Sequence, residues 1–433
     1  MPGRSLDIWM NGELVGHWTI HRNQDEFSYA PSWLAFPARR PISLSMPLQP
    51  ADQAYKGPPV RNFFDNLLPD TQVLRQRLHQ RFGTDSTGAF DLLTEIGRDC
   101  VGAIALLRPQ TEPFHHKKIE ARSLDEDEVE EKLLLARGDT ALGQRVDDFR
   151  ISIAGAQEKT ALLWHRGRWC QPIGSTPTTH IFKLPIGQAA MGIDLSTSVE
   201  NEWLCHKLLQ ALEIPVADCR MSCFGAQKTL VVERLDRQWS TDGKWIIRLP
   251  QEDLCQAMGL PSGRKYESDG GPGITGIMEL LRGSRLAAQD RVDFYRTQIA
   301  FWMLCAIDGH AKNFSLLIEP QGRFRLAPRY DVLSAYPVLG HAVGKLSTKV
   351  VKMAMAAWGK NRHYRWNDIF RRHWERVGLD CGISTPSDVI SQLVRKTPDA
   401  IRSVQSDLPE NFPVFVASPI LEGLRKAADR LRN

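Results

Sequence analysis

Cysteine is scarce in this sequence and follows no pattern. Eight are scattered over 433 residues, no C-x-x-C occurs, and most sit beside apolar neighbours, as in Trp203-Leu204-Cys205 and Leu304-Cys305-Ala306. Buried free thiols are expected, and a disulfide framework or a zinc site is disfavoured. No apolar run approaches the ~18 residues of a membrane span. Met1-Pro2-Gly3-Arg4-Ser5 leads into a polar strand and not into the apolar core of a signal segment. A cytoplasmic protein with no membrane partner is therefore expected. Neither sign of charge dominates: 55 Lys and Arg against 50 Asp and Glu leave a net +5, which permits anionic partners without demanding nucleic acid. Internal repeats and an evident helix-turn-helix or finger are missing too, and the small-residue loop around Gly155 is neither a Walker A loop nor G-x-G-x-x-G. What remains is 42% hydrophobic and 24% charged, the composition of a globular protein, and too long for one ordinary core. Two or three lobes are expected.

Residues 6–20 read as two strands around Asn11-Gly12, the strongest short hairpin signal. A short strand is expected from Phe27 to Leu34 and a helix from about Thr71 to Phe82, with apolar Val73, Leu74 and Leu78 on one face and Arg and Gln on the other. A second helix over 88–96 and a glycine-flanked strand to Leu107 complete an α+β module over 1–108. Pro109, Pro113 and a run of mixed charge mark 109–148 as a connector, in which Ser123 and Glu126 form a capping-box pattern opening a helix to about Ala136. Its Glu128 and Lys132 have i,i+4 spacing. His115-His116 has no third ligand at a helpful spacing, so a solvated basic turn is preferred to a metal site.

From 149 to 237 the pattern is β-rich. Phe149 to Trp164 reads strand, small-residue loop, strand; the loop around Gly155 is either an anion cradle or a plain hairpin turn. Lys183 is a lone cation in the apolar strand His180-Ile181-Phe182-Lys183-Leu184, and such a lysine must reach a charge or snorkel. Glu200 or Glu202, in the first turn of a helix starting near Ser198, could supply that charge, or could simply answer the helix dipole. Thr229 to Arg237 is a buried strand running into a charged turn. From 238 to 433 helix predominates, with one helix expected to open at Pro250 and another to span 290–307. The glycine-rich polar loop Lys265 to Gly273 is a candidate gating or substrate-facing element. Basic residues beyond 345, interleaved with Trp358, Tyr364, Trp366 and Trp374, read as solvated faces of amphipathic helices in preference to a phosphate-contacting surface.

The most informative stretch is Asp308-Gly309-His310-Ala311-Lys312-Asn313, directly after the apolar run Ile299 to Ile307. With Tyr330-Asp331 further on, it has the layout of a metal-dependent phosphoryl-transfer site: one acid facing an attacking hydroxyl, an Asn and a second acid for Mg²⁺. The competing reading is a helix C-terminus stopped by Gly309 with solvated polar residues.

Long segments, in order, resemble one known family, the HipA serine/threonine kinases, toxins of bacterial toxin–antitoxin pairs. They are ISIAGAQEKTALL (151–163), TPTTHIFKLP (176–185), VENEW (199–203), VVERLDR (231–237), LPQEDLCQAMGLPSGRKYESDGGPGI (249–274), DGHAKNFS (308–315) and YDVLSAYPVLG (330–340). FFDNLLPD and GRDCVGA also resemble the family's N-terminal domain, and the likeness fades after about 350. The resemblance implies a two-lobed, protein-kinase-like α+β fold, with a β-rich nucleotide-binding part and a helical catalytic lobe. It implies that Ala154, Gly155, Ala156, Gln157, Glu158 and Lys159 form a phosphate-binding loop, and that Lys183 contacts the ATP phosphates. Glu233, Arg234 and Leu235 would hold adenine, and His310 would lie against the nucleotide. Asp308 would be the catalytic acid–base group, Asn313 and Asp331 the Mg²⁺ ligands, and Ser152 the site of self-inactivating autophosphorylation. The implied partners are a HipB-like antitoxin dimer, operator DNA held through that complex, and a protein of the translation machinery, with aminoacyl-tRNA synthetases as the substrate class. Two other readings compete: a nucleotide-binding corepressor module of weak activity, and a small-molecule or lipid kinase, the lipid being disfavoured for want of an apolar amphipathic stretch.

Overall fold

Asn11 and Gly12 adopt left-handed φ of 48° and 86°, the conformation a two-residue hairpin turn requires, and they join β1 (Arg4–Met10) to β2 (Glu13–His21). The computed structural model describes residues 4–111, 116–137, 157–189 and 192–432. β3 (Gln24–Tyr29) continues the meander. It stops short of Leu34, because Pro31 opens a helical turn, α1 (Pro31–Ala35). With β4 (Tyr55–Lys56), α2 (Pro58–Asp65), α3 (Gln72–Phe82), α4 (Ala89–Ile96) and β5 (Ile104–Leu107), these strands form a five-stranded sheet ordered β4-β3-β2-β1-β5. Trp18, stacked on Phe64 at 3.9 Å, lies at the centre of its core. α3 forms where a helix was expected; none of its residues is fully buried, Leu78 and Phe82 pack partly buried against this core, and Val73 is 64% exposed.

β6 (Ala121–Ser123) and α5 (Glu126–Arg137) follow. The cap of α5 is Asp125, not Ser123, which ends β6. Asp125 accepts from the Glu128 N–H at 2.9 Å and Glu128 returns the bond to the Asp125 N–H at 3.0 Å. Glu128 also pairs with Arg122. β7 (Lys159–His165), β8 (Arg168–Pro172) and β9 (His180–Lys183) precede the two-residue strands β10 (Gly187–Gln188) and β11 (Asp194–Leu195). Then come α6 (Ser198–Ala211), β12 (Cys219–Phe224) and β13 (Gln227–Glu233). The resulting six-stranded sheet runs β12-β13-β9-β7-β8-β6. Alternation along β13 divides its faces: Val231 packs with Leu162, Phe182 and Leu133 of α5, while Leu230 and Val232 join the core built around α6.

The remainder is mostly helical, around a small sheet. β14 (Arg237–Trp239) and β15 (Ile246–Arg248) form a hairpin. Pro250 does not open a helix. It leads into β16 (Gln251–Asp253), after which Asp253 caps the single turn α7 (Leu254–Ala257). α8 (Ile274–Leu280) and α9 (Ala287–Met303) precede β17 (Ser315–Ile318) and β18 (Phe324–Leu326), which complete the sheet β16-β17-β18. Beyond 345, β19 (Lys352–Trp358) and β20 (Arg362–Arg365) make a hairpin where amphipathic helix was expected. α10 (Arg371–Asp380), α11 (Pro386–Ser406) and α12 (Val414–Arg430) close the chain. The tryptophans here are core: Trp366 and Trp302 exchange indole-to-carbonyl bonds of 2.8 and 2.9 Å, and Trp374 is 1% exposed. All eight cysteines are free, and six of them are buried. No helix of the described residues is long and apolar enough to cross a membrane.

The N-terminal sheet module is docked by polar contacts onto both other parts. Asn62 and Asn66 donate to the Gly259 and Leu260 carbonyls at 2.8 and 2.9 Å. Asp99 enters a buried cluster with Arg234, just past β13, and with Arg237 and Arg248 of the β14–β15 hairpin.

Candidate active site

α9 ends before the Asp308 hexad. Cys305 takes φ 49°, the Ala306 N–H bonds to the Phe301 carbonyl at 2.8 Å, and the Cys305 N–H bonds to the Trp302 carbonyl at 3.0 Å. This is the helix-closing pair normally built on glycine. Asp308 therefore stands on a separate loop, and Gly309 is not a helix stop. Glycine is required there by close approach: a Cβ would lie 2.5 Å from the Phe301 ring. Gly309→Ala is expected to displace the two neighbouring side chains, so phosphoryl transfer, if this loop performs it, would fall roughly 10- to 100-fold, the penalty of a small misplacement. A transfer assay run beside a melting curve checks it.

The loop lies in a cleft of about 280 Å³ between the six-stranded sheet and the helical part. Asp308 is exposed to it. Asn313 donates from Nδ2 to the Asp308 carbonyl at 2.8 Å and to the Asp331 carbonyl at 3.4 Å, tying both acid-bearing segments together. Asp331 has φ 58°, an uncommon conformation for a side-chain-bearing residue and one that recurs at functional sites. Across the cleft, the Lys183 ammonium bonds to Glu202 at 2.6 Å and to Asp331. The acid that meets Lys183 is thus Glu202; Glu200 pairs with Lys228.

The charges in this cluster sustain one another. Burial alone would lower the Lys183 pKa, but Asp331 and Glu202 outweigh it and hold the ammonium charged. Burial alone would raise Asp331, but Lys183 and then Lys159 hold it well below the usual carboxylate range. Lys159 faces Lys183 in the β7–β9 register; burial pushes its pKa down and Asp331 opposes that. His206, buried beneath Glu202, is pushed down to about 3 by burial and by Lys183, so it is neutral.

The other predicted residues divide. Gln157 lines the cleft and donates to the Leu184 carbonyl. Glu158 is turned to α3, where it pairs with Arg77 at 2.5 Å. Glu233 and Leu235 line the cleft wall, and the Leu235 N–H and carbonyl make no hydrogen bond among the described residues. Arg234 lends its backbone to that wall, but its guanidinium is buried against Asp236 at 2.8 Å and Asp99 at 3.2 Å. His310 is buried at the cleft floor, and burial lowers its pKa. Ser152, Ala154, Gly155 and Ala156 lie outside the described residues.

Three features of the cleft were not found in the sequence. Lys312, inside the hexad, points away from the acids and binds Asp70 at 3.0 Å and the Asn66 side chain at 2.9 Å, both from the N-terminal module. Lys265 joins the same Asp70 at 2.8 Å. Tyr266 donates its hydroxyl to the Asp308 carboxylate. The only sequence sign of these was polarity: an Asp after Leu-Leu-Pro, and a loop too hydrophilic to be plain packing.

The donor set fits a hard divalent cation. Asp331 supplies a carboxylate whose side chain is 31% exposed and is matched here to an ammonium, and the Asn313 carbonyl oxygen has no hydrogen-bond partner among the described residues. One or two such oxygens, completed by water and phosphate, are how Mg²⁺ is ordinarily held.

A β-rich sheet whose Lys183 pairs with Glu202 of α6, facing a helical part that carries an acid, an Asn and a second acid, defines a two-lobed protein-kinase-like α+β fold. A model of the HipA N-terminal domain matches residues 6–107, and one of the HipA-like C-terminal domain matches residues 151–403. The chain belongs to the HipA family. It is 32% identical over 426 residues to the putative kinase Y4mE of Sinorhizobium fredii, covering 95% of this chain and 94% of the relative. It is 28% identical to the serine/threonine-protein kinase toxin HipA of Shewanella oneidensis, covering 95% and 93%. The solved complex of Shewanella oneidensis MR-1 HipA with HipB and operator DNA has the same fold, with a TM-score of 0.79 at 23% identity over 99% of this chain and 97% of that one.

Proposed function

We propose that this chain is a Mg·ATP-dependent protein serine/threonine kinase, the toxin of a HipA/HipB-type pair. The observation that carries the reading is the convergence of Lys183, Glu202 and Asp331 on the cleft that also holds Asp308 and Asn313. In this reading Lys183 and Lys159 hold phosphate oxygens, and the unpaired Leu235 backbone groups meet the adenine edge. Asn313 and Asp331 would hold Mg²⁺, which when bound neutralises charge on the transferring phosphoryl group. The acceptor hydroxyl attacks the γ-phosphorus, its proton passes to the Asp308 carboxylate, and ADP leaves.

The acceptor is a protein of the translation machinery, an aminoacyl-tRNA synthetase by the family resemblance, so that transfer arrests growth and promotes persistence. Ser152 is the self-inactivating acceptor. A helix-turn-helix antitoxin dimer binds the chain and carries it to operator DNA for co-repression; the Shewanella oneidensis complex of HipA, HipB and operator DNA is the precedent. Incubation with Mg·ATP followed by phosphosite mapping, on the chain itself and on purified synthetases, tests the reading. The expected result is phosphate on Ser152 and on a synthetase. Nucleotide binding without any transfer would instead favour the corepressor module.

A further inference from the structure

The Tyr266 hydroxyl donates to Oδ1 of Asp308, and no other side chain donates to that carboxylate among the described residues. The contact comes from a braced segment. The Lys265 carbonyl accepts from the Ala311 N–H at 3.1 Å, and the Tyr266 carbonyl accepts from the Gly271 and Asp269 N–H groups at 2.9 and 3.1 Å. A Cβ on Gly271 would lie 2.2 Å from the Arg264 carbonyl oxygen, so the loop folds this tightly only with glycine there. The Tyr266 ring also stands edge-on to His310 at 5.0 Å, which fixes its plane. Burial, and then Asp308 itself, push the phenol pKa up, so the group is a standing O–H donor.

A hydroxyl donating to Asp308 is the arrangement that the proposed transfer requires of its acceptor. We propose that Tyr266 holds the acceptor's seat on Asp308 while no protein acceptor is bound, keeping water from being activated there, and yields that seat to an incoming seryl or threonyl hydroxyl. This rests on the kinase reading of Asp308. Without the phenol, a water oxygen would attack the γ-phosphorus, give its proton to Asp308 and release ADP and phosphate.

The test is Tyr266→Phe in the full chain, which keeps the ring on His310. Mg·ATP hydrolysis without added protein and self-incorporation of label from ATP labelled at the γ-phosphate are measured together, beside wild type, Asp308→Asn and the double variant. The expected result is acceptor-independent hydrolysis raised roughly tenfold, the scale of one hydrogen bond to a charged group, and returned to background in the double variant. If hydrolysis is unchanged while wild type incorporates label, the seat-holding role is overturned and the kinase reading stands. If hydrolysis and incorporation fall together in Tyr266→Phe, the tyrosine positions Asp308 instead, and the proposal is likewise overturned. A wild-type chain that neither hydrolyses ATP nor incorporates label overturns both.

Discussion

Asp308→Asn is expected to lower phosphate transfer from Mg·ATP by roughly 10²–10⁴-fold, the range of a lost general base. The substitution is close to isosteric, and Asp308 is exposed, so folding loses little. Its backbone carbonyl still accepts from Asn313, and the loop keeps its place. An Asn side-chain oxygen can still accept from Tyr266, so the local hydrogen bond survives while the basic carboxylate is gone. Nucleotide affinity is expected to stay within a few-fold of wild type, because Lys183, Lys159 and the Asp331 carboxylate lie on other elements. Single-turnover transfer beside a nucleotide titration separates the two quantities. Transfer at the wild-type rate would remove Asp308 from the mechanism.

What the sequence made legible were groups whose chemistry is anomalous for their surroundings. Lys183 in an apolar strand had to reach a charge or snorkel, and it reaches the Glu202 carboxylate. Asn11-Gly12 had to be a tight turn, because few other residues accept those backbone angles. Local pattern failed where two neighbours are chemically alike and tertiary packing chooses between them. Glu200 and Glu202 lie two residues apart near the start of α6, yet only Glu202 faces the β9 lysine. Ser123 and Asp125 can both cap a helix, but Ser123 is held in a strand against Cys170. Pro250 suits a helix start as well as a strand entry, and pairing of Gln251 to Asp253 with Leu317 to Ser315 decides it. Apolar residues on α3 gave a helical stripe, but Val73 is left 64% exposed; Leu78 and Phe82 pack against the core, and Arg75 binds Asp65 at 2.6 Å. The contribution of the N-terminal module to the cleft was the least visible. Asp70 and Lys312 are 242 positions apart, and no local signal joins them.

The same long-range logic governs the second large effect. Asp99→Asn is expected to destabilise the chain by about 3–5 kcal/mol, the cost of leaving a buried charge without its partner. Asp99 bonds through Oδ1 to Arg237 at 2.7 Å and faces Arg248 at 3.5 Å; through Oδ2 it meets Arg234 at 3.2 Å and the Thr178 hydroxyl at 2.7 Å. None of these charged side chains is more than 7% exposed, so solvent screens little of the interaction. Removing one of two carboxylates leaves Arg234, Arg237 and Arg248 around Asp236 alone. Burial by itself would raise the Asp99 pKa, but Arg234, Arg237 and Arg248 outweigh it and hold the carboxyl well below the ordinary range. A folded value below the unfolded one means that this stabilisation is fully present above the unfolded pKa of about 4 and is lost as pH falls towards the folded value. Denaturant midpoints of wild type and variant should therefore differ most near neutrality, and the gap should narrow below about pH 4. Arg234 stands between Glu233 and Leu235 on the cleft wall, so in the kinase reading the variant is also expected to bind nucleotide more weakly even where it remains folded. A variant as stable as wild type at pH 7 would show that the N-terminal module is held by its Asn62, Asn66 and Asp70 contacts and not by this cluster.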